Sequence, residues 1–287
     1  MKTLKTTFLL TALTLLLLFI GASFGGERGI TIALVVAVLM NGTAYFFSDK
    51  IALASSGAQP ISREEAPRLY AVMERLAAKA DLPMPKLYLI PQPAPNAFAT
   101  GRNPSHASVA VTQGLLELMN DDELEGVIAH ELSHVRNYDI LTSSIAATLA
   151  GAIMWIGHMG RWGLILGGWG GRDSNREGGG LTALLMLILA PLAALLLQLG
   201  ISRQREYQAD ASGVKMIGQQ YGLISALEKL GAYNQKIPSN IPPSTAALCI
   251  VAPLAPRQFL SGLFSTHPPL EKRIAALKSM VILPSGR

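Results

Sequence analysis

The chain has 287 residues, of which 50% are apolar and only 15% are charged, and its formal net charge is +5. This composition is not that of an ordinary soluble domain, in which about a quarter of the residues are charged. The basic residues form no clustered stripe with interleaved aromatic side chains, so the sequence argues against a nucleic-acid partner. The single cysteine excludes an internal disulfide and fits a reducing compartment.

Apolar residues are concentrated in four blocks, each usable as a membrane span. The predicted spans are residues 4–24, 30–47, 140–166 and 181–201. They form two predicted transmembrane hairpins, one within residues 1–47 and one within residues 140–201. A glycine-rich outside loop at about residues 167–180 joins the last two spans.

The distribution of lysine and arginine predicts the orientation of these spans, because positive residues accumulate on the cytosolic side. With the amino terminus inside, 20 of the 24 basic residues lie on the cytosolic side. The first block is also open to interpretation as a cleaved signal peptide, with Gly21, Ala22 and Ser23 near the cut. Both interpretations place residues 48–139 in the cytosol, as expected for a multi-pass protein of a bacterial-type inner membrane.

The segment after the second span has the pattern of a helix followed by a small sheet. Ser62 and Glu65 predict the start of a helix that runs to about Ala80 and ends before Pro83. The predicted short strands are residues 86–90, 96–100 and 108–112. An edge strand of this sheet can bind an extended peptide through its main chain, but a purely structural sheet is an equally open alternative.

A helix of about 17 residues follows, for which Asp121 or Asp122 predicts the cap and Glu125 completes a capping box. It carries the sequence H-E-L-S-H, in which His130 and His134 stand one turn apart on the same face. Both imidazoles can therefore reach one zinc ion. Glu131 can accept a proton from a water whose pKa the metal lowers to about 7, which predicts metal-assisted hydrolysis.

A hydrolytic zinc site needs a third protein ligand, and no further histidine stands at a suitable short spacing. Glu206 follows the end of the fourth span by about five residues, so the second hairpin returns it to the membrane face of the histidines. We therefore predict Glu206 as the third ligand. Asp210, one turn later, is placed to accept the ring N–H of a ligating histidine.

Four sequence motifs together resemble the HtpX family of heat-shock membrane proteases, relatives of the CaaX prenyl protease. They are H-E-L-S-H at residues 130–134, S-R-Q-R-E-Y-Q-A-D at 202–210, N-A-F-A-T-G at 96–101 and S-T-H-P-P-L-E-K-R-I at 265–274. The resemblance covers nearly the whole chain. It implies a gluzincin fold, one Zn²⁺ held by His130, His134 and Glu206, and Glu131 as the base.

The same resemblance implies a cytosolic catalytic domain, built from residues 48–139 and 202–287, and proteolytic quality control of unfolded or damaged membrane proteins. It also implies a substrate-pairing strand and a supporting role for two basic residues, in stabilising either an oxyanion or the fold. The strand residues are Asn96, Ala97, Phe98 and Ala99, and the basic residues are His267 and Arg273. His267 with Pro268 is, alternatively, a plain helix start.

The predicted fold class is membrane α+β, with four transmembrane helices and a mainly helical zincin-like domain that contains a small β-sheet. An alternative function is a non-catalytic membrane scaffold or chaperone stabilised by zinc, which would require four protein ligands and no Glu131. The proline-rich residues 237–257 match no motif. They are open to interpretation as a packed loop or as a flap over the cleft or membrane.

Overall fold

The computed structural model describes residues 2–165, 202–234, 236–251 and 267–281. Its described helices are α1 Lys2–Ser55, α2 Pro67–Lys79, α3 Gln113–Leu118, α4 Asp121–Arg136, α5 Asp139–Ile165, α6 Arg203–Ile217, α7 Tyr221–Asn234, α8 Pro243–Ala246 and α9 Leu270–Lys278. The strands are β1 Gln59–Pro60, β2 Lys86–Ile90, β3 Ala97–Gly101 and β4 Ala107–Thr112. This part of the chain is mostly helical with a small mixed sheet, as predicted.

The amino-terminal helix α1 is a helical hairpin with its break at Gly26, where φ is 54° and ψ is −138°. That backbone conformation is accessible to glycine because it has no Cβ. The two halves pack side by side, and Asn41 Nδ2 donates to Thr14 Oγ1 at 2.8 Å. The second half extends to Ser55, eight residues beyond the predicted end of the second span.

Within the described residues, the segment Gly25–Ser55 is the one helix long and apolar enough to cross a membrane, judged by length and composition. Thr6–Phe19 and Asp139–Met154 are shorter apolar helices. The predicted fourth span, residues 181–201, and the glycine-rich loop lie outside the described residues. The four-span topology therefore stays a prediction.

The sheet has the strand order β1-β2-β4-β3, with β2 and β4 parallel and the other two pairs antiparallel. The predicted strands match the observed ones to within one residue at each end. Strand β3 lies at the edge of the sheet, against α4 and α5. The substrate-pairing candidates of the sequence therefore lie on an edge strand beside the helix that carries H-E-L-S-H.

Two predicted helix starts differ from the structure. Ser62 and Glu65 do form reciprocal hydrogen bonds, but in a turn that precedes α2; the helix begins at Pro67, whose fixed φ suits a first helical position. His267 and Pro268 likewise precede their helix, since α9 begins at Leu270. Pro67 is the first residue of α2, and Pro269 is the N-cap of α9.

The capping box of helix α4 lies two residues earlier than the sequence predicted. Its cap is Asn120, whose side chain accepts from the Glu123 N–H at 2.9 Å while the Glu123 carboxylate accepts from the Asn120 N–H at 2.9 Å. The predicted capping box of Asp122 with Glu125 is therefore wrong. Glu123 also accepts hydrogen bonds from Ser225 and Lys229 of α7, so tertiary partners favour this register.

The main hydrophobic core lies between the sheet and helices α2, α4, α6, α7 and α9. Helix α4 runs through its centre, and eleven of its sixteen residues are buried. Helix α6 approaches α4 closely at Gly213, where a Cβ would lie 3.1 Å from the backbone nitrogen of His130. This close approach brings the residues of α6 within reach of the H-E-L-S-H face.

Candidate metal centre

The structure brings His130, His134 and Glu206 together from two helices that are distant in sequence. Nε2 of His130 lies 3.3 Å from Nε2 of His134, and the two atoms lie 3.7 and 3.6 Å from the nearer oxygens of Glu206. Potential ligand atoms of the three residues all lie within 4.8 Å of one another. They form the one group of this kind found among the described residues.

These separations fit a zinc ion. Tetrahedral zinc with bonds of about 2.0–2.2 Å keeps neighbouring ligand atoms roughly 3.3–3.5 Å apart. In addition, Glu206 Oε2 is buried and accepts no hydrogen bond, although it faces several nitrogens at 3.7–3.9 Å. A buried carboxylate oxygen without a partner is costly, and a divalent cation at this point would satisfy it.

Asp210 and Arg273 support the ring of His130. Asp210 Oδ1 lies 2.8 Å from His130 Nδ1, on the side of the ring away from Glu206. The guanidinium of Arg273 donates two hydrogen bonds to the Asp210 carboxylate, of 2.8 and 2.7 Å. Arg273 is 1% exposed, so this bidentate pair is shielded from water and holds Asp210 in a single orientation.

Glu131 lies on α4 between the two histidines, and its side chain is buried, with one oxygen that has no hydrogen-bond partner. Burial, reinforced by the negative charge of Glu206, raises the pKa of Glu131 to about 7. A hydrogen bond from the Ala99 backbone opposes this shift. A carboxyl group with a pKa near neutrality is suited to accept and return a proton at physiological pH.

The charges and burial around His130 and Glu206 favour the metal-binding forms of these two ligands. Burial lowers the pKa of His130, which keeps the imidazole neutral as metal ligation requires. Burial alone would raise the pKa of Glu206, but His267, His134 and Arg273 together hold it below its usual range. Although burial also opposes ionisation of Asp210, the adjacent Arg273 keeps the pKa of that carboxyl well below its usual range.

His267 and the strand residues Asn96–Ala99 both lie near the candidate metal centre: His267 faces Glu206, and the strand contributes Ala99 to the cavity beside the ligands. His267 is buried, with Nε2 3.9 Å from Glu206 Oε2. In β3, Ala99 lines a cavity of about 20 Å³ together with Glu131, His134 and Glu206. Arg273, in contrast, directs two N–H groups to Asp210 and a third to the carbonyl of Ile250.

Two residues at this centre were missed in the sequence. Asp139, the first residue of α5, lies 3.4 Å from His134 Nδ1 and 3.3 Å from Arg205. Burial acts against the charged imidazole, but the hydrogen bond with Asp139 and the charges of the nearby carboxylates raise the pKa of His134 to about 9. The second residue missed in the sequence is Gly213. Its seven-residue spacing from Glu206 places both on one face of the helix, and this spacing could have indicated that Gly213 also faces α4.

Comparison with known proteins agrees with this geometry. Residues 63–281 match Peptidase family M48. The chain belongs to peptidase family M48. Similar relatives include two proteins described as Protease HtpX homolog. The one from Desulfatibacillum aliphaticivorans is 55% identical, and the match covers 95% of this chain and 88% of the relative. The one from Syntrophobacter fumaroxidans is 53% identical, and the match covers 96% of this chain and 98% of the relative. The chain is thus a metalloprotease, and its family disfavours the non-catalytic scaffold.

The fold is similar to that in the crystal structure of S. mikatae Ste24p. The match has a TM-score of 0.51 and 22% sequence identity, and it covers 96% of this chain. The chain spans only 64% of the length of that protein, so the likeness concerns the shared fold. The HtpX resemblance seen in the sequence motifs is confirmed by the relatives.

Proposed function

We propose that this chain is a membrane-bound, zinc-dependent endopeptidase that hydrolyses peptide bonds in misfolded or damaged membrane proteins at the cytosolic face. The observation that carries the proposal is the convergence of His130, His134 and Glu206 beside the buried carboxylate of Glu131, one oxygen of which has no hydrogen-bond partner. Membership of a peptidase family supports the reaction type. The roles of these residues are part of the proposal.

His130, His134 and Glu206 would hold the ion. Zinc, when bound, supplies a Lewis acid that lowers the pKa of a water to about 7 and polarises the scissile carbonyl. Asp210 and Asp139 contact the Nδ1 atoms of the two histidines and so direct both Nε2 atoms toward the same point. These contacts fix the ring orientations before substrate arrives.

Glu131 would act as the general base and then as the general acid. Its carboxylate accepts a proton from the water that attacks the carbonyl carbon, and returns it to the nitrogen of the departing amine. The hydroxyl group thus goes to one product and the hydrogen to the other. The raised pKa of about 7 lets the same carboxyl group perform both transfers.

Replacement of the base tests this proposal. Glu131→Gln should reduce peptide cleavage by about 10²–10⁴-fold, the usual contribution of general acid–base catalysis, while zinc content stays at one per chain. The matched control is Glu125→Gln, on the same helix but paired with Arg75. Cleavage rates on a fluorogenic peptide and metal analysis give the two readouts. Unchanged cleavage in Glu131→Gln would refute the assignment of the base.

The proposed topology has its own test. In a Cys249→Ser background, single cysteines replacing Arg172 and Glu117 should differ in labelling by a membrane-impermeant maleimide added to intact cells or spheroplasts. Position 172 lies in the predicted outside loop, and Glu117 lies on the exposed face of α3 in the predicted cytosolic part. We expect labelling at 172 alone. Labelling at 117 alone would invert the topology and remove the cytosolic site of action.

A further inference from the structure

The edge strand β3 turns alternate backbone groups toward its free side. Asn96 O accepts from Thr112 N–H and so points toward β4, whereas Ala97 O accepts from Ile250 N–H at 2.9 Å on the other side. Backbone direction alternates along a strand, so Ala97 and Ala99 face the same free edge. Ala99 presents its backbone to the Glu131 carboxylate there. A strand paired along this edge would therefore run directly to the base.

Residues 246–251, here called the strap, already occupy the start of that edge. In addition to the Ile250–Ala97 bond, the Asn96 side chain donates to Val251 O at 2.9 Å and accepts from Ala97 N–H at 3.1 Å. Ile250 is 1% exposed and Cys249 is fully buried. The strap thus binds the edge strand through one main-chain hydrogen bond, one hydrogen bond from a side chain to its main chain, and buried side chains. An extended peptide ligand uses the same kinds of contact.

The strap also narrows the space beside the metal ligands. Ala247 and Leu248 complete the lining of the cavity that contains Glu131, His134 and Glu206. The volume of this cavity is about 20 Å³. That is enough for one water molecule, which needs roughly 10–15 Å³, but not for an amino-acid residue of a substrate. A substrate residue therefore does not fit in this cavity while the strap is in this position.

Arg273 connects the strap to the candidate metal centre. One of its N–H groups donates to Ile250 O at 2.6 Å, while the others hold Asp210, which contacts His130. The same Nη1 atom lies 3.7 Å from Glu206 Oε2. Displacement of the strap would therefore free one guanidinium N–H group of Arg273 close to the metal ligands. A substrate carbonyl at this point could accept a hydrogen bond from that group.

We propose that residues 246–251 are an internal pseudosubstrate strap, which pairs with the free edge of β3 and is displaced by the extended segment of an unfolded protein. This inference rests on the proposed peptidase function and identifies Ala97 O and Asn96 Nδ2 as the atoms for which strap and substrate compete. The resting enzyme is closed. Only a substrate with an exposed, extendable backbone gains access, which protects folded neighbours in the membrane.

The single cysteine allows direct observation of the strap, because Cys249 lies within it and is buried against Phe98 and Ala110. The experiment uses the full-length, zinc-loaded Glu131→Gln protein in detergent and follows maleimide labelling by mass spectrometry. Labelling should be slow alone and at least about tenfold faster with saturating reduced and carboxymethylated lactalbumin, an unfolded chain without free thiols. Fast labelling without lactalbumin, or no acceleration with it, would overturn the proposal.

A pair of matched substitutions tests the effect on catalysis. Ile250→Ala removes buried contacts of the strap, and Ile224→Ala removes similar contacts of α7 in the same core. If only the open state binds peptide, apparent affinity scales with the open fraction. Ile250→Ala should therefore raise kcat/KM for a short peptide and Cys249 labelling by the same factor, at least about threefold. Ile224→Ala should raise neither. A reduced kcat/KM in a folded Ile250→Ala enzyme would mean that the strap forms part of the substrate-binding site, and it would overturn the proposal.

The two readouts separate this inference from the proposed function. Metal-dependent cleavage with labelling of Cys249 that does not respond to lactalbumin would overturn the strap and leave the peptidase intact. Labelling that responds to lactalbumin, in a protein whose wild-type form shows no metal-dependent cleavage, would support the strap as a peptide-displaced segment and remove the proposed function. Both measurements use the complete chain, so neither depends on an isolated fragment.

Discussion

At the scale of single residues, the most informative arrangement is the chain of contacts from Arg273 through Asp210 to His130. A surface aspartate beside a histidine would be screened by water, but Asp210 and Arg273 are almost completely buried. Two orientations of the His130 ring would otherwise compete. The buried carboxylate favours the one in which Nε2 points toward His134 and Glu206.

Asp210→Asn should therefore weaken zinc binding by about 10–100-fold, the range usual for loss of a partner that orients a ligand. The amide keeps the size of the carboxylate but removes the charge that holds both Arg273 and the His130 ring. Zinc competition with a chromogenic chelator measures the effect. Asp122→Asn, an exposed substitution on α4, serves as control. Equal zinc affinity in the two variants would contradict the role of Asp210.

At the scale of elements, helix α4 has two distinct parts. Its amino terminus is anchored to the neighbouring helix α7, and its carboxy-terminal half carries the candidate metal ligands His130 and His134. Glu123 performs the anchoring, because it completes the Asn120 capping box and pairs with Lys229 of α7 at 2.7 Å. Burial opposes its ionisation, but the hydrogen bonds from Lys229, Ser225 and Asn120 outweigh burial and lower the pKa of Glu123.

Glu123→Gln should lower the free energy of unfolding by about 1–3 kcal/mol at pH 7, as expected for hydrogen bonds to a buried charged group. Because the folded pKa is the lower one, the stabilisation is present above the unfolded value of about 4.3 and is lost as pH falls through the folded value. The difference from wild type should thus shrink in acid. Unfolding at pH 7 and pH 4 measures it, with exposed Glu117→Gln as control. If the difference in unfolding free energy between wild type and Glu123→Gln instead grew in acid, the assigned role of the Glu123 charge would be contradicted.

At the scale of the whole molecule, the candidate metal centre joins parts of the chain that are far apart in sequence. Helices α4 and α6 supply the ligands, while α9 and the strap close the site from another side. Without a cation, buried Oε2 of Glu206 has no hydrogen-bond partner. The ion should therefore contribute to the stability of the fold as well as to the chemistry.

Chelation should lower the thermal stability of the intact protein and added zinc should restore it. A ligand at 100 times its dissociation constant stabilises the folded state by about 2.7 kcal/mol. Thermal unfolding with and without a chelator provides the measurement, and it needs no substrate. Glu206→Gln should be insensitive to the chelator because it has lost a ligand. A wild-type protein equally stable in both conditions would indicate that the three residues bind no ion tightly.

The local elements were readable from sequence because their causes are local. Alternating apolar residues and turn residues gave the three longer strands to within one residue, and helical periodicity gave the helix that carries His130 and His134. Four-residue spacing alone places those two side chains on one face. The helix caps were less predictable, since Asn120 was selected over Asp122 by contacts of Glu123 with α7.

Tertiary structure decided what sequence spacing leaves open. The contact of Asp139 with His134 depends on the turn between α4 and α5, and the close approach of α6 to α4 depends on the absence of a side chain at Gly213. The contact of the strap with β3 joins residues about 150 positions apart, through one backbone hydrogen bond and one hydrogen bond from the Asn96 side chain to the backbone of Val251. Backbone groups leave no mark in side-chain chemistry, so only the fold could reveal that residues 246–251 lie beside the candidate metal centre.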